Sequence, residues 1–132
     1  MLARREHSAF EIRRKLQQKD VDDSEIEEAI ERLQQEGLLS DQRYAESYIN
    51  MRRDKGYGPF RIAQELRERG VAESDFGHYL YAANMDWGSA LKAAHDKKFG
   101  TRPCGSYEEK AKRIRHLQYR GFTLDKIHEM ID

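Results

Sequence analysis

The chain has 132 residues, 36% of them charged, yet its 24 basic and 24 acidic side chains cancel. A strong, pure DNA binder is normally basic overall, and a disordered chain normally carries a high net charge, so the balance argues against both. Leu, Ile, Val and Phe number 25 in all, which allows only a thin core spread along an elongated fold.

Two Val and two Thr leave few strand formers, so an all-α fold is expected. No apolar run approaches the roughly 18 residues that span a bilayer, and no signal-peptide pattern opens the chain. Cys104 stands alone, which excludes an internal disulfide and agrees with a reducing cytoplasm.

Met1 to His7 is short and basic. Ser8-Ala9-Phe10-Glu11 has the form of a capping box, predicting a helix to about Lys19 with Ala9, Phe10, Ile12 and Leu16 on its apolar side. Asp20 sits at the exit, where Asp tolerates the left-handed conformation. Ile26, Ala29, Ile30 and Leu33 then fall at i, i+3, i+4 and i+7, predicting a second helix that Gly37 ends. A third helix places Tyr44, Ala45, Tyr48, Ile49 and Met51 inward. Lys55-Gly56-Tyr57-Gly58-Pro59 is the sharpest punctuation in the chain: two glycines suit a helix exit and redirection, and a proline suits the first helical position.

A shift of 50 residues carries Phe10, Ile12, Leu16 and Val21 onto Phe60, Ile62, Leu66 and Val71, and Asp20 onto Gly70. It also carries Ile26, Ala29, Ile30 and Leu33 onto Phe76, Tyr79, Leu80 and Ala83, followed by a helix bearing Trp87, Ala90, Leu91 and Ala94 and ending at Gly100. A further shift of 51 sends Leu66, Gly70, Val71, Phe76 and Leu80 to Leu117, Gly121, Phe122, Ile127 and Ile131. Thr101 to Gly105 links these copies, and Ser106 to Glu109 repeats the capping box. The period matches none of the common solenoids, but the physical reading is the same: small units with neighbour contacts along a line. The expectation is an elongated tandem of three-helix bundles, with units at 1–55 and 56–100 and a final two-helix unit at 101–132. The chain is expected to be mobile at Gly56, Tyr57, Gly58 and Pro59, and near Pro103.

Zero net charge conceals segregation. Residues 1–20 hold 6 bases and 3 acids, residues 21–50 hold 2 and 9, and residues 51–70 hold 6 and 3. Arg13, Arg14, Lys15 and Lys19 recur as Arg67 and Arg69, then as Arg113 and Arg115. Taken singly, these are solvated helix faces with i,i+4 pairs. Taken together, a regular repeat would align them along one edge, where charges add within a Debye length of roughly 8 Å. A phosphate backbone or an acidic protein groove would fit such an edge.

No catalytic or cofactor pattern emerges. His7, His78, His95, His116 and His128 are scattered without ligand spacing, and no phosphate-binding glycine loop or nucleophile elbow is present. Cys104 lies between Pro103 and Gly105 near Arg102, with no second cysteine to resolve an oxidised thiol. The reading is of a protein without enzymatic chemistry, metal or cofactor.

Gly37-Leu38-Leu39-Ser40-Asp41-Gln42-Arg43-Tyr44-Ala45, Ile49, Arg52 and Lys55-Gly56-Tyr57-Gly58-Pro59-Phe60-Arg61-Ile62, with Gln64-Glu65-Leu66 and Gly70-Val71, closely resemble the bacterial RecX family. Asp86-Trp87, Lys97 to Gly100 and Arg113 to Phe122 match its later segments. The resemblance implies tandem three-helix repeats that regulate the RecA recombinase by binding along the groove of its filament on single-stranded DNA. It further implies inhibition of filament growth, and with it of strand exchange, ATP hydrolysis and co-protease activity. Family members commonly carry more chain before the segment like Ala3 to Ser8, so Met1 is expected to lie within a shortened N-terminal helix, leaving apolar side chains around Leu2 and Phe10 uncovered.

The partner-binding residues expected on this basis are Arg13, Arg14, Arg52, Arg53, Lys55, Arg61, Arg67, Arg69, Arg113 and Arg115, offering charge-assisted hydrogen bonds to carboxylates or phosphates from a monomer. A DNA-binding module acting without RecA is the alternative, and a scaffold unconnected with nucleic acid is a third. The former needs a recognition helix, and no compact set of Arg, Asn and Gln at one helix start stands out.

Overall fold

Helix boundaries in the computed structural model, which describes residues 5–131, fall where the caps and glycines put them. Eight helices are described: α1 (Ala9–Gln18), α2 (Asp23–Gln35), α3 (Asp41–Asp54), α4 (Pro59–Glu68), α5 (Glu73–Leu80), α6 (Trp87–Phe99), α7 (Tyr107–Tyr119) and α8 (Leu124–Ile131). The Ser8 hydroxyl accepts from the Glu11 amide while the Glu11 carboxylate accepts from the Ser8 amide, closing the expected capping box. Pro59 opens α4, and Asp20 adopts φ 59° at the exit of α1, where Gly70 and Gly121 adopt φ 78° and 104° after α4 and α7. The expectations about Met1 to Arg4 and Leu2 lie outside the described residues.

Three apolar clusters divide these helices. Ala9, Ile26, Ile30 and Leu39 join α1 to α2. Tyr44, Ala45, Tyr48, Ile49, Ile62, Leu66, Phe76 and Leu80 form the largest cluster, from α3, α4 and α5. Leu91, Leu117, Phe122 and Ile127 join α6, α7 and α8. The repeat is therefore phased one helix away from the expected boundaries 1–55, 56–100 and 101–132. Helix α3 belongs with the pair after it, and the unit ending the chain has all three of its helices. A period fixes the spacing between copies and is silent about where each copy starts.

Three inward assignments also change, among them Ala83, which lies exposed beyond the end of α5. Phe60 is 62% exposed, and Met51 is exposed as well. Phe60 follows Pro59 at the start of α4, where the Gly121 turn packs on the Arg61 backbone and leaves the Phe60 ring outside.

The accessible surface is 8652 Å², against about 7,200 Å² for a compact monomer of this mass, as an elongated chain of small units requires. Successive units meet in the same way twice. The turn after α4 packs on the start of α1, and the turn after α7 packs on the start of α4. At the first joint Gly70 lies against the Phe10 ring, and Ala9 N–H donates to Asp41 Oδ1 at 2.7 Å. At the second, Gly58 N–H donates to Arg120 O at 2.7 Å and Phe60 N–H to Gly121 O at 3.0 Å. Trp87 bridges the last two cores, with its Nε1–H donating to Leu80 O at 2.8 Å.

Gly56, Tyr57, Gly58 and Pro59 thus form a pinned joint where a hinge was expected. A Cβ on Gly58 would come within 2.6 Å of the Gly121 backbone, whereas one on Gly105 would meet open space. Gly58→Ala is expected to cost about 1–3 kcal/mol in urea unfolding through overpacking against backbone that cannot rotate away. Gly105→Ala should stay within about 0.5 kcal/mol, the range of a neutral surface change. Equal effects at the two sites would rule out the pinned joint.

Candidate partner-binding surface

Helical spacing assembles two rows of side chains. On α3, Tyr44, Tyr48 and Arg52 follow at i, i+4 and i+8; on α4, Arg61 and Glu65 do the same, continued by the C-cap Arg69. Glu65 is the meeting point. Its carboxylate accepts both Nε–H and Nη2–H of Arg52 at 2.9 Å, the Tyr48 hydroxyl at 2.9 Å and Arg61 Nε–H at 3.2 Å. Arg69 donates to the Tyr44 hydroxyl at 3.3 Å and lies over the Tyr48 ring, 4.7 Å from its centre.

The joint extends this network into the next unit. The Tyr57 ring has three guanidinium groups near it: Arg52 at 3.8 Å, Arg120 at 4.4 Å and Arg61 at 5.1 Å from its centroid. Arg61 also approaches the Tyr119 ring at 5.0 Å, and Tyr119 is 73% exposed. Four arginines around Glu65 leave this face cationic, the carboxylates at its edge, Glu6 and Glu11, being paired with Arg43 and Arg5. The rings beside the arginines supply favourable cation–π contacts. A surface of alternating cations and aromatic faces can bind carboxylates, phosphates or stacked bases.

The ten expected cations do not share one edge. Arg52, Arg61 and Arg69 belong to this network. Arg53 approaches Asp54 at 3.5 Å and Met85 Sδ at 3.0 Å, and it lines a separate groove; Lys55 lies in the pocket adjoining that groove. Arg13 is forked onto Glu27 of α2, and Arg67 reaches Glu73 of α5, so each clips its helix to the next. Arg14 and Arg115 are exposed, with the Arg14 guanidinium 5.9 Å from the centre of the Phe10 ring.

Arg113 drops out of any docking edge. It is 4% exposed, donates to Glu109 Oε1, Arg102 O and His95 Nε2, and ties the loop at 101–105 to the last unit. It occupies the repeat position of Ile62, where an outward cation cannot be. His95 is buried beside it, accepting at Nε2 and therefore carrying its hydrogen on Nδ1, toward Asp96.

Arg120 was missed, as were Tyr119 and Glu65. Its signal was legible: a shift of 51 carries Arg69 onto Arg120, each just before the glycine that ends a middle helix. Among the described residues no cluster of His, Cys, Asp and Glu is arranged to hold a metal, and no helix is long and apolar enough to cross a membrane.

Comparison with known proteins follows the same division. Family models described as the first, second and third three-helix domains of RecX match residues 1–33, 40–76 and 89–131. The chain belongs to the RecX family. It is 42% identical over 131 residues to the regulatory protein RecX of Pseudomonas fluorescens strain Pf-5, covering 99% of this chain and 84% of that one. The RecX of Pseudomonas entomophila is 40% identical with the same coverage. Among solved structures, the fold is shared with a regulatory protein RecX (TM-score 0.79, 24% identity, 98% of this chain and 66% of that one). It is also shared with RecX from Lactobacillus salivarius (TM-score 0.78, 23% identity, 98% and 86%). The three RecX domain matches group α3 with α4 and α6 with α7 and α8, as the apolar clusters do.

The Glu65 cluster in this RecX-family chain sets a pH dependence. Burial works to raise the Glu65 pKa, but hydrogen bonds from Arg52 and Tyr48 outweigh it and hold the carboxyl below the ordinary range. Such a group lends stability that is complete above the unfolded glutamate pKa of about 4.3 and is lost as the pH falls through the lower folded value. Glu65→Gln is expected to cost about 2 kcal/mol at neutral pH, the scale of hydrogen bonds to a charged group. Chemical denaturation of the variant should then show a smaller further loss below about pH 4.5 than the parent. Identical acid sensitivity in the two proteins would contradict this role.

Proposed function

We propose that this chain is a non-enzymatic regulator that binds the RecA filament on single-stranded DNA and holds back its growth. With growth go strand exchange, ATP hydrolysis and co-protease activity, and thereby the protein modulates DNA repair and the SOS response. It acts as a monomer in the cytoplasm and needs no cofactor. Family membership supports a regulatory role directed at RecA. The observation that carries the reading further is the continuous face from Arg69 through Glu65, Arg52 and Tyr57 to Arg120, which crosses from one unit to the next.

A filament offers the same protein and phosphate groups at regular intervals. An elongated ligand with recurring cations and a fixed joint can meet several of them at once, and binding at linked sites gains affinity without new contact types. Arg14, Arg52, Arg61, Arg67, Arg69 and Arg115 are the proposed contacts retained from the sequence, with Arg53 on the separate groove and Lys55 in the pocket that adjoins it. Arg120 and Tyr119 join them, and Arg113 is replaced. Arg13 contributes through its clip to Glu27.

The purified chain should slow RecA-driven ATP hydrolysis on single-stranded DNA in a dose-dependent way. No effect at saturating amounts would reject the proposal. Reversing charge at Arg67→Glu and Arg69→Glu is expected to weaken inhibition at least tenfold. Both side chains are exposed, so far-UV circular dichroism should retain the helical signal. Inhibition equal to the parent's would remove both side chains from the contact.

A further inference from the structure

The second joint closes a pocket of about 200 Å³ lined by Lys55, Gly56, Ala94, Lys97, Lys98, His116 and Arg120. Four permanent cations converge there, and no carboxylate lines it, in a chain with as many acids as bases. Lys55, Lys97 and Lys98 make no ion pair among the described residues. Gly56, Ala94 and Lys97 continue into a larger groove of about 620 Å³ whose floor includes Ala90 and Ala93. That groove holds two carboxylates, both engaged: Asp54 with Arg53, and Asp86 with Ser89 at the start of α6.

Helix ends offer a competing account of these cations. Lys55 caps α3, Lys97 and Lys98 lie in the last turn of α6, and Arg120 caps α7. Each helix C-terminus carries roughly half a negative charge, so three together offset about 1.5 of the four positive charges. An excess of more than two positive charges remains in a partly enclosed site. His116 is biased toward its neutral form, since burial, Arg120 and Lys98 all push its pKa below the ordinary value.

We infer that the pocket between the second and third units is a phosphate site, taking a phosphate group of a nucleic-acid strand or of a free nucleotide, with the adjoining groove receiving the rest of the ligand. The small floor residues leave room for a ligand where longer side chains would fill the groove. The joint is what creates the site: Lys55 and Gly56 come from the second unit, Ala94, Lys97, Lys98, His116 and Arg120 from the third, and Arg120 donates to Lys55 O at 3.4 Å across it. This inference does not rest on the recombinase reading, and its test contains no recombinase.

The full chain is titrated into a fluorescently labelled oligothymidylate of about 20 nucleotides, and separately with ATP and with pyrophosphate. Backbone amide NMR shifts of Gly56, Ala94 and Lys97 locate the binding. One strand phosphate neutralised in the pocket gives a logarithmic salt slope of about −0.7, so raising salt from about 50 to 200 mM weakens that binding about 2.6-fold. With Lys97→Gln and Lys98→Gln together, two of the four cations are gone, and binding at about 50 mM salt is expected to fall about tenfold or more. Lys15→Gln with Lys19→Gln, far from the pocket, should bind as the parent does. Strand binding with these losses supports the site and identifies a phosphodiester ligand. Binding of ATP or pyrophosphate alone, lost in the same variant, supports the site with a free phosphate source. Unmoved amides with every probe, or undiminished binding by the pocket variant, would overturn the inference; circular dichroism and a milder Lys55→Gln variant exclude loss of fold as the cause.

Discussion

Two backbone hydrogen bonds, from Gly58 to Arg120 and from Phe60 to Gly121, hold the last two units in register. They form because neither glycine carries a Cβ: one on Gly58 would strike the Gly121 backbone, and one on Gly121 would strike the Arg61 Cβ. Backbone contact of this kind is more directional than apolar packing. It suits a chain whose small cores have little surface left to bury between units. Arg120 reaches Tyr57 and Lys55 only because that contact brings the turn after α7 up to the start of α4.

Charge follows from the same geometry. The net-neutral chain places most acids of its first half on α2 and around it, while cations gather at the ends of α3, α4, α6 and α7. At the Glu65 network one carboxylate organises the arginines nearest it and leaves the face positive. In the pocket beside the joint no carboxylate does so. Fixed positions, more than total charge, decide where an anion is attracted, because exposed charges act over roughly a Debye length.

Much of this was readable in the chain. Caps at Ser8 and Ser106 and turns at Asp20, Gly37, Gly70 and Gly121 marked the helices, since a cap or a positive φ depends on nearest neighbours. The 50-residue repeat and the family resemblance followed from residue order. The site was less legible. Arg52 and Arg61 look like ordinary surface cations until the fold brings both onto Glu65, and Arg113 looks like another until its helix turns it inward.

By itself, the sequence determined the all-helical class, the positions of the turns, the repeat and the RecX kinship, all carried by local pattern. Only the tertiary structure decided which helices share a core, whether the glycine-rich segment swivels or is pinned, and which cations stand together. A periodic pattern is unchanged by shifting the cut between copies, so grouping α3 with α4 and α5 required knowing which apolar faces meet. The joint between Gly58 and Gly121 pairs residues far apart in the chain, and no local signal specifies such a partner.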